Sequence, residues 1–208
     1  MSQNNYREGR LLISQEEIEA RAQEIGAQIT KDYAGKDVLL IGILTGSVLW
    51  LAQVVKSIKL DTTLDFMSVS SYGASTKSSG VVKINKDLNN DIEGKHVIIV
   101  EDIVDSGMTL EYLCKYLSGH EPASLKICTM LDKPSGRRVE IEADYIGFEA
   151  PDAFLIGYGL DADQRFRNLP YIAAIEQEES GENGGNTEQE IPDSDGTDTV
   201  AATEMLLW

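Results

Sequence analysis

Cysteine is scarce in this chain of 208 residues: there are two, Cys114 and Cys128, both inside apolar-patterned segments. A disulfide-stapled scaffold is excluded, and the pattern fits reduced core thiols of a cytosolic protein. Long hydrophobic runs are missing too. The longest apolar stretch, Val38 to Ala52, is interrupted by Gly42, Thr45, Gly46 and Ser47 and is too short to span a bilayer. The opening residues, MSQNNYREGR, carry no apolar core of a signal peptide. No membrane partner is expected. Basic residues are the third shortage. There are 18 Lys and Arg against 35 Asp and Glu, for a formal net charge of -17. Residues 176–208 hold -10 of that charge and no Lys or Arg, and residues 1–175 hold -7. Neither part offers the basic surface that a phosphate backbone attracts, so nucleic acid is not an expected partner. An anionic substrate would need local compensation by Lys, Arg, backbone amides or a cation.

What is present fits one α/β domain with a substantial core, since 42% of the residues are hydrophobic. The chain is organised around His96 to Thr109, HVIIVEDIVDSGMT. Val97 to Val100 reads as a central strand of a parallel sheet, buried on both faces. The acids Glu101 and Asp102 follow, then Asp105-Ser106-Gly107-Met108-Thr109. A helix pattern starts after that, with Leu110, Leu113, Cys114 and Leu117 on one face. Ligands gather beyond the carboxyl ends of parallel strands. The loop would sit at a helix N-terminus, where free amides and the helix dipole favour an anion. Gly107 allows close backbone approach, and Ser106 and Thr109 add hydroxyl donors. The loop reads as a monophosphate cradle, with Glu101 and Asp102 placed to accept from sugar hydroxyls or to hold a hard cation. Solvated acids at a strand end before a capped helix are the plainer alternative.

Around this stretch, Leu11 to Tyr33 carries a helix signal, with Ser14 as N-cap and Glu17 as capping-box partner. Val38 to Leu44 reads as a buried strand, Thr45-Gly46-Ser47 as a tight loop, and Val48 to about Ile58 as a helix. Leu64 to Ser70 and Val81 to Asp87 read as strands flanking the small polar run 71–80, either a hairpin tip or a lid over substrate. Ser124 to Leu131 is a further strand, ending in Asp132-Lys133-Pro134. Tyr145 to Glu149 and Tyr171 to Ile175 are strands. Pro151 to Asp161 reads as a packed strand or as part of a site. From Glu176 onward the composition predicts disorder, which divides the chain into a domain at 1–175 and an acidic tail at 176–208.

The motif Glu101-Asp-Ile-Val-Asp-Ser-Gly-Met-Thr109 resembles the phosphoribosyl-diphosphate signature of the type I phosphoribosyltransferases, and is most similar to the hypoxanthine-guanine phosphoribosyltransferases. The resemblance covers about residues 5 to 176 and not the tail. It implies a central, mainly parallel sheet flanked by helices, a small hood formed by the chain ends, and a mobile active-site loop. It implies transfer of a phosphoribosyl group to hypoxanthine or guanine, with Mg²⁺ as cofactor and a homodimer or homotetramer as the assembly. By the same resemblance Glu101 and Asp102 hold the ribose hydroxyls and, with Asp161, the metal. Asp105 is the general base or acid, and Asp105 to Thr109, including Met108, bind the phosphate. Thr45, Gly46 and Ser47 meet the pyrophosphate next to a non-proline cis bond expected at Leu44–Thr45. Ser71 and Tyr72 match the mobile loop, and Arg167 contacts pyrophosphate. Lys133 donates to a purine 6-carbonyl, Phe154 stacks on the ring, and Leu155 reads the base edge through its backbone. A transferase for xanthine and a non-catalytic sensor of phosphoribosyl diphosphate are the alternatives.

Overall fold

The computed structural model describes residues 6–71 and 82–177. In chain order its elements are β1 Tyr6–Ile13, α1 Gln15–Asp32, β2 Val38–Leu44, α2 Val48–Ser57, β3 Thr62–Ser71, β4 Val82–Lys86, β5 His96–Val104, α3 Met108–Ser118, β6 Ser124–Asp132, β7 Tyr145–Glu149, β8 Leu155–Ile156 and β9 Ile172–Gln177. A 3-10 turn, Pro134–Gly136, follows β6.

Six strands form one sheet in the order β4-β3-β2-β5-β6-β7. All its pairings are parallel except the edge pair β3–β4. Burial on both faces explains why β2 and residues 97–100 of β5 are apolar throughout. Leu40 and Ile98 face one side with Ile18, Ile25 and Trp50 of α1 and α2. Leu39, Ile41, Val97 and Ile99 face the other side with Leu110, Leu113 and Leu117 of α3. Side chains of period two therefore fill two cores.

That arrangement decides where a ligand can enter. From β2 the chain crosses through α2 to β3 on one side, while from β5 it crosses through α3 to β6 on the other. The loops after β2 and β5 therefore part at adjacent strands, which is the switch point where open α/β sheets bind ligands.

The second sheet is small and antiparallel, in the order β1-β9-β8. It is the expected hood from the chain ends, and it corrects one boundary. The helix signal read from Leu11 begins at Gln15, and Leu11 to Ile13 belong to β1, where Leu11 pairs with Ala173. The helix start is set by Ser14, whose hydroxyl accepts from Glu17 N at 3.2 Å while the Glu17 carboxylate accepts from Ser14 N at 2.8 Å. Pro151 to Asp161 also departs from a packed strand: only Leu155–Ile156 is strand. Tyr72 and residues 178–208, hence nearly all of the acidic segment, lie outside the described residues. Both cysteines are free thiols. No helix among the described residues is long and apolar enough to cross a membrane.

Candidate active site

Beyond the carboxyl end of β5, two cavities share Asp105 and Ile103. The smaller, of about 120 Å³, is lined by Glu101, Asp105, Ser106, Gly107 and Thr109. Gly107 is the N-cap of α3 with φ +78°, a conformation that a side chain would strain. Gly107 has no side chain to cap this helix, and Ser106 Oγ accepts only a long bond, 3.5 Å, from Met108 N. Its first intrahelical bond runs from Glu111 N to Gly107 O at 2.9 Å, so the amides of the first turn face the loop. The loop is fixed from behind, because Arg138 N donates to Ser106 O at 3.0 Å and Lys133 N to Val104 O at 2.9 Å. This is the geometry of an anion seat.

The larger cavity, of about 260 Å³, is lined by Asp102, Asp105, Lys133, Phe154, Leu155 and Asp161. Consecutive strand residues point to opposite faces, so Glu101 lines the first cavity and Asp102 the second. Asp102 reaches toward the loop after β2, where a methyl group on Gly46 would overlap Asp102 Oδ2. That close approach is why the position takes glycine. The Leu44–Thr45 peptide bond is cis, as expected.

Both acids are electrostatically uncomfortable. Burial, with the Asp102 charge and a hydrogen bond to Asp102, pushes the Glu101 carboxyl well above the usual range. Glu101 Oε2 is buried without a hydrogen-bond partner. Burial also raises Asp102, assisted by Asp161 and opposed by the Ile103 amide and by Arg167. The Ile103 amide donates to Asp102 Oδ1 at 2.8 Å. Such a pair favours a ligand that brings donors or positive charge.

Asp161 and Arg167 meet in the hood. Arg167 Nη1 donates to Gly159 O at 2.7 Å, and Gln164 N donates to Asp161 Oδ2 at 2.8 Å. Arg165 is exposed, with its guanidinium 5.4 Å from the Phe166 ring centre. Phe154 lines the cavity and is 56% exposed.

Of the loop Thr45-Gly46-Ser47, Thr45 is exposed while Ser47 is fully buried. Ser47 Oγ and Ser47 N both donate to Ile43 O, at 2.7 and 3.3 Å. Its hydroxyl is thus used within the fold and does not face the cavities. Ser71 ends β3. Among the described residues no group of three or more His, Cys, Asp or Glu forms a metal cage, so Glu101, Asp102 and Asp161 are not a preformed one. Two partners escaped the sequence reading. Asp132, just before Lys133, is paired with Arg137, and Lys133 is paired with Asp152. Asp132 ends β6 and meets Arg137 across the 3-10 turn that follows, whereas only the tertiary fold brings Asp152 to Lys133.

The model of the phosphoribosyl transferase domain matches residues 13–163. A hypoxanthine-guanine phosphoribosyltransferase of Streptococcus pneumoniae is 52% identical over 169 residues, covering 81% of this chain and 94% of that protein. The chain belongs to the hypoxanthine-guanine phosphoribosyltransferase family. The Bacillus subtilis hypoxanthine-guanine phosphoribosyltransferase is 51% identical over 166 residues, covering 80% of this chain and 92% of its own. A crystal structure of a Staphylococcus aureus hypoxanthine phosphoribosyltransferase superposes with a TM-score of 0.79 at 44% identity, covering 81% of this chain and 92% of that one. The matched family model spans all six strands of the larger sheet and ends before the acidic segment.

Proposed function

We propose that this chain is a purine salvage transferase that moves the phosphoribosyl group of 5-phospho-α-D-ribose 1-diphosphate onto hypoxanthine or guanine, giving IMP or GMP and pyrophosphate. One observation carries the reading: an uncapped helix N-terminus and a cavity holding Lys133, Phe154 and Leu155 lie on either side of Asp105. That supplies a phosphate seat and a purine seat that share Asp105 and Ile103.

In this reading the 5-phosphate rests on the amides and hydroxyls of Ser106 to Thr109. Glu101 and Asp102 accept hydrogen bonds from the ribose hydroxyls, which gives Glu101 Oε2 the donor it lacks. Phe154 offers its ring face to the purine, Leu155 its backbone to the base edge, and Lys133 an N–H to the 6-carbonyl. The bond from C1 of ribose to pyrophosphate breaks with its electron pair on the departing oxygen, and a ring nitrogen of the base closes the new bond to C1. Asp105, beside N7, holds or takes the proton the base gives up. Arg167 and the amides of Thr45 and Gly46 meet the charge growing on pyrophosphate. The Ser71-Tyr72 segment excludes water from the cationic ribose. Mg²⁺ fits an all-oxygen donor set: Asp102 and Asp161, which line one cavity, and the neighbouring Glu101 would hold it with substrate oxygens, and when bound it neutralises pyrophosphate charge. A cytoplasmic enzyme assembled as a homodimer or homotetramer, with residues 176–208 as an appended tail, completes the reading.

The test is a Mg²⁺-dependent assay with phosphoribosyl diphosphate and hypoxanthine, guanine, xanthine or adenine, run beside Asp105→Asn. IMP and GMP should form, and the variant should lose about 10²–10⁴-fold in rate. Tight donor binding without turnover on any base would overturn the reading in favour of a sensor.

A further inference from the structure

Among the described residues lining the larger cavity, Lys133 is the only cation. Its Nζ lies 3.1 Å from Asp152 Oδ1 and donates to Ala153 O at 3.4 Å. The Lys133 side chain is 16% exposed, whereas that of Asp152 is 80% exposed. An ammonium has three N–H groups. Two are engaged by the segment between β7 and β8, and one is left for the cavity. Among the described residues Asp152 makes no other side-chain hydrogen bond or ion pair: it stands on the surface, two residues before Phe154, and reaches back to the lysine. A lysine on a four-carbon stem otherwise samples many rotamers and loses that freedom when it binds.

We propose that Asp152 is a positioning residue for purine selectivity, anchoring the Lys133 ammonium so that its remaining N–H points at a 6-carbonyl. The inference rests on the proposed function and deepens it. An anchored donor favours a carbonyl and opposes a 6-amino group, which also presents donors. A lysine free to swing away would bind the carbonyl less well and reject the amine less strictly.

Equilibrium titration of the full-length protein with IMP, AMP and ribose 5-phosphate, alongside thermal unfolding, tests this. Asp152→Ala should weaken IMP about fivefold, the scale of one exposed ion pair. It should narrow the preference for IMP over AMP and leave ribose 5-phosphate and the unfolding midpoint unmoved. Asp152→Glu should recover most of the IMP affinity. An Asp152→Ala protein that binds IMP as the unsubstituted protein does, or that loses IMP and ribose 5-phosphate equally, overturns the inference alone. An unsubstituted protein that binds neither IMP nor GMP overturns the proposed function and this inference with it.

Discussion

Arg167 Nη2 lies 2.7 Å from Asp161 Oδ1, so the cation assigned to pyrophosphate is tied to an acid on the wall of the purine cavity. The link is tight because the turn between them is short. Asp163, Gln164 and Phe166 all take positive φ there, at 52°, 64° and 71°. The fork of a guanidinium holds Asp161 with one arm and Gly159 O with the other. An ammonium lacks that rigid planar fork and holds two acceptors in a less fixed geometry. Arg167→Lys should therefore lower kcat/KM for phosphoribosyl diphosphate by about 10–100-fold, the scale of one charged hydrogen bond. It should change ribose 5-phosphate binding far less. Steady-state kinetics with the donor varied would show it, and an equal loss for both ligands would contradict the assignment.

Gly46, in the loop after β2, and Asp102, near the end of β5, leave no room between them for a side chain at Gly46. A methyl group at Gly46 would overlap the Asp102 carboxylate, so Gly46→Ala must move that carboxylate off the ribose. Misplacement of about 1 Å near the chemistry costs about 10²-fold. In an Asp102→Ala background the same substitution should add less than about threefold, because the overlap has gone. A double-mutant cycle on kcat/KM measures the coupling, and additive losses would refute it.

The central stretch was legible because its signals are local. An apolar run, two acids, a glycine and a helix face lie within one strand–loop–helix unit, and the structure places β5, the phosphate loop and α3 there. The capping box at Ser14 was legible for the same reason. The hood was harder. Leu11 to Ile13 are apolar next to a strong helix, and only pairing with β9, about 160 residues away in sequence, makes them strand. Ser47 shows the opposite limit. A serine in a glycine loop reads as a ligand donor, yet its hydroxyl donates to Ile43 O, four residues back in the chain. The acid partner of Lys133 is set by how two separate segments meet, which spacing does not encode.

The two thiols should be slow to react. Burial pushes Cys128 up to about 12, and burial with the Asp144 charge pushes Cys114 up to about 11. At pH 8 both are overwhelmingly protonated, and the thiolate is the nucleophile. An aromatic disulfide reagent should modify the folded protein at least about 10²-fold more slowly than the same protein in denaturant. Rapid modification of a thiol in the folded state would place Cys114 in a more open setting.

Asp65 should make stability depend on pH. It is 2% exposed, and it accepts from Phe66 N at 2.7 Å, from Asn89 Nδ2 at 2.6 Å and from Asn89 N at 2.8 Å, with Lys86 Nζ at 3.5 Å. Burial by itself would raise its carboxyl, but the amides of Asn89 and Phe66 and the Lys86 charge outweigh it and hold the group below its usual value. A carboxyl depressed in the folded state stabilises above its unfolded value of about 3.9, and that contribution disappears as pH falls through the folded one. Asp65→Asn should therefore cost about 1–3 kcal/mol at pH 7. The deficit should start to shrink as pH drops below about 4, where the unfolded carboxyl takes up its proton ahead of the folded one. Urea unfolding of both proteins at pH 7, 5 and 3.5 measures it. A deficit that stays constant across that range would mean that Asp65 acts through shape alone, and that its charge does not hold β3 to the chain after β4.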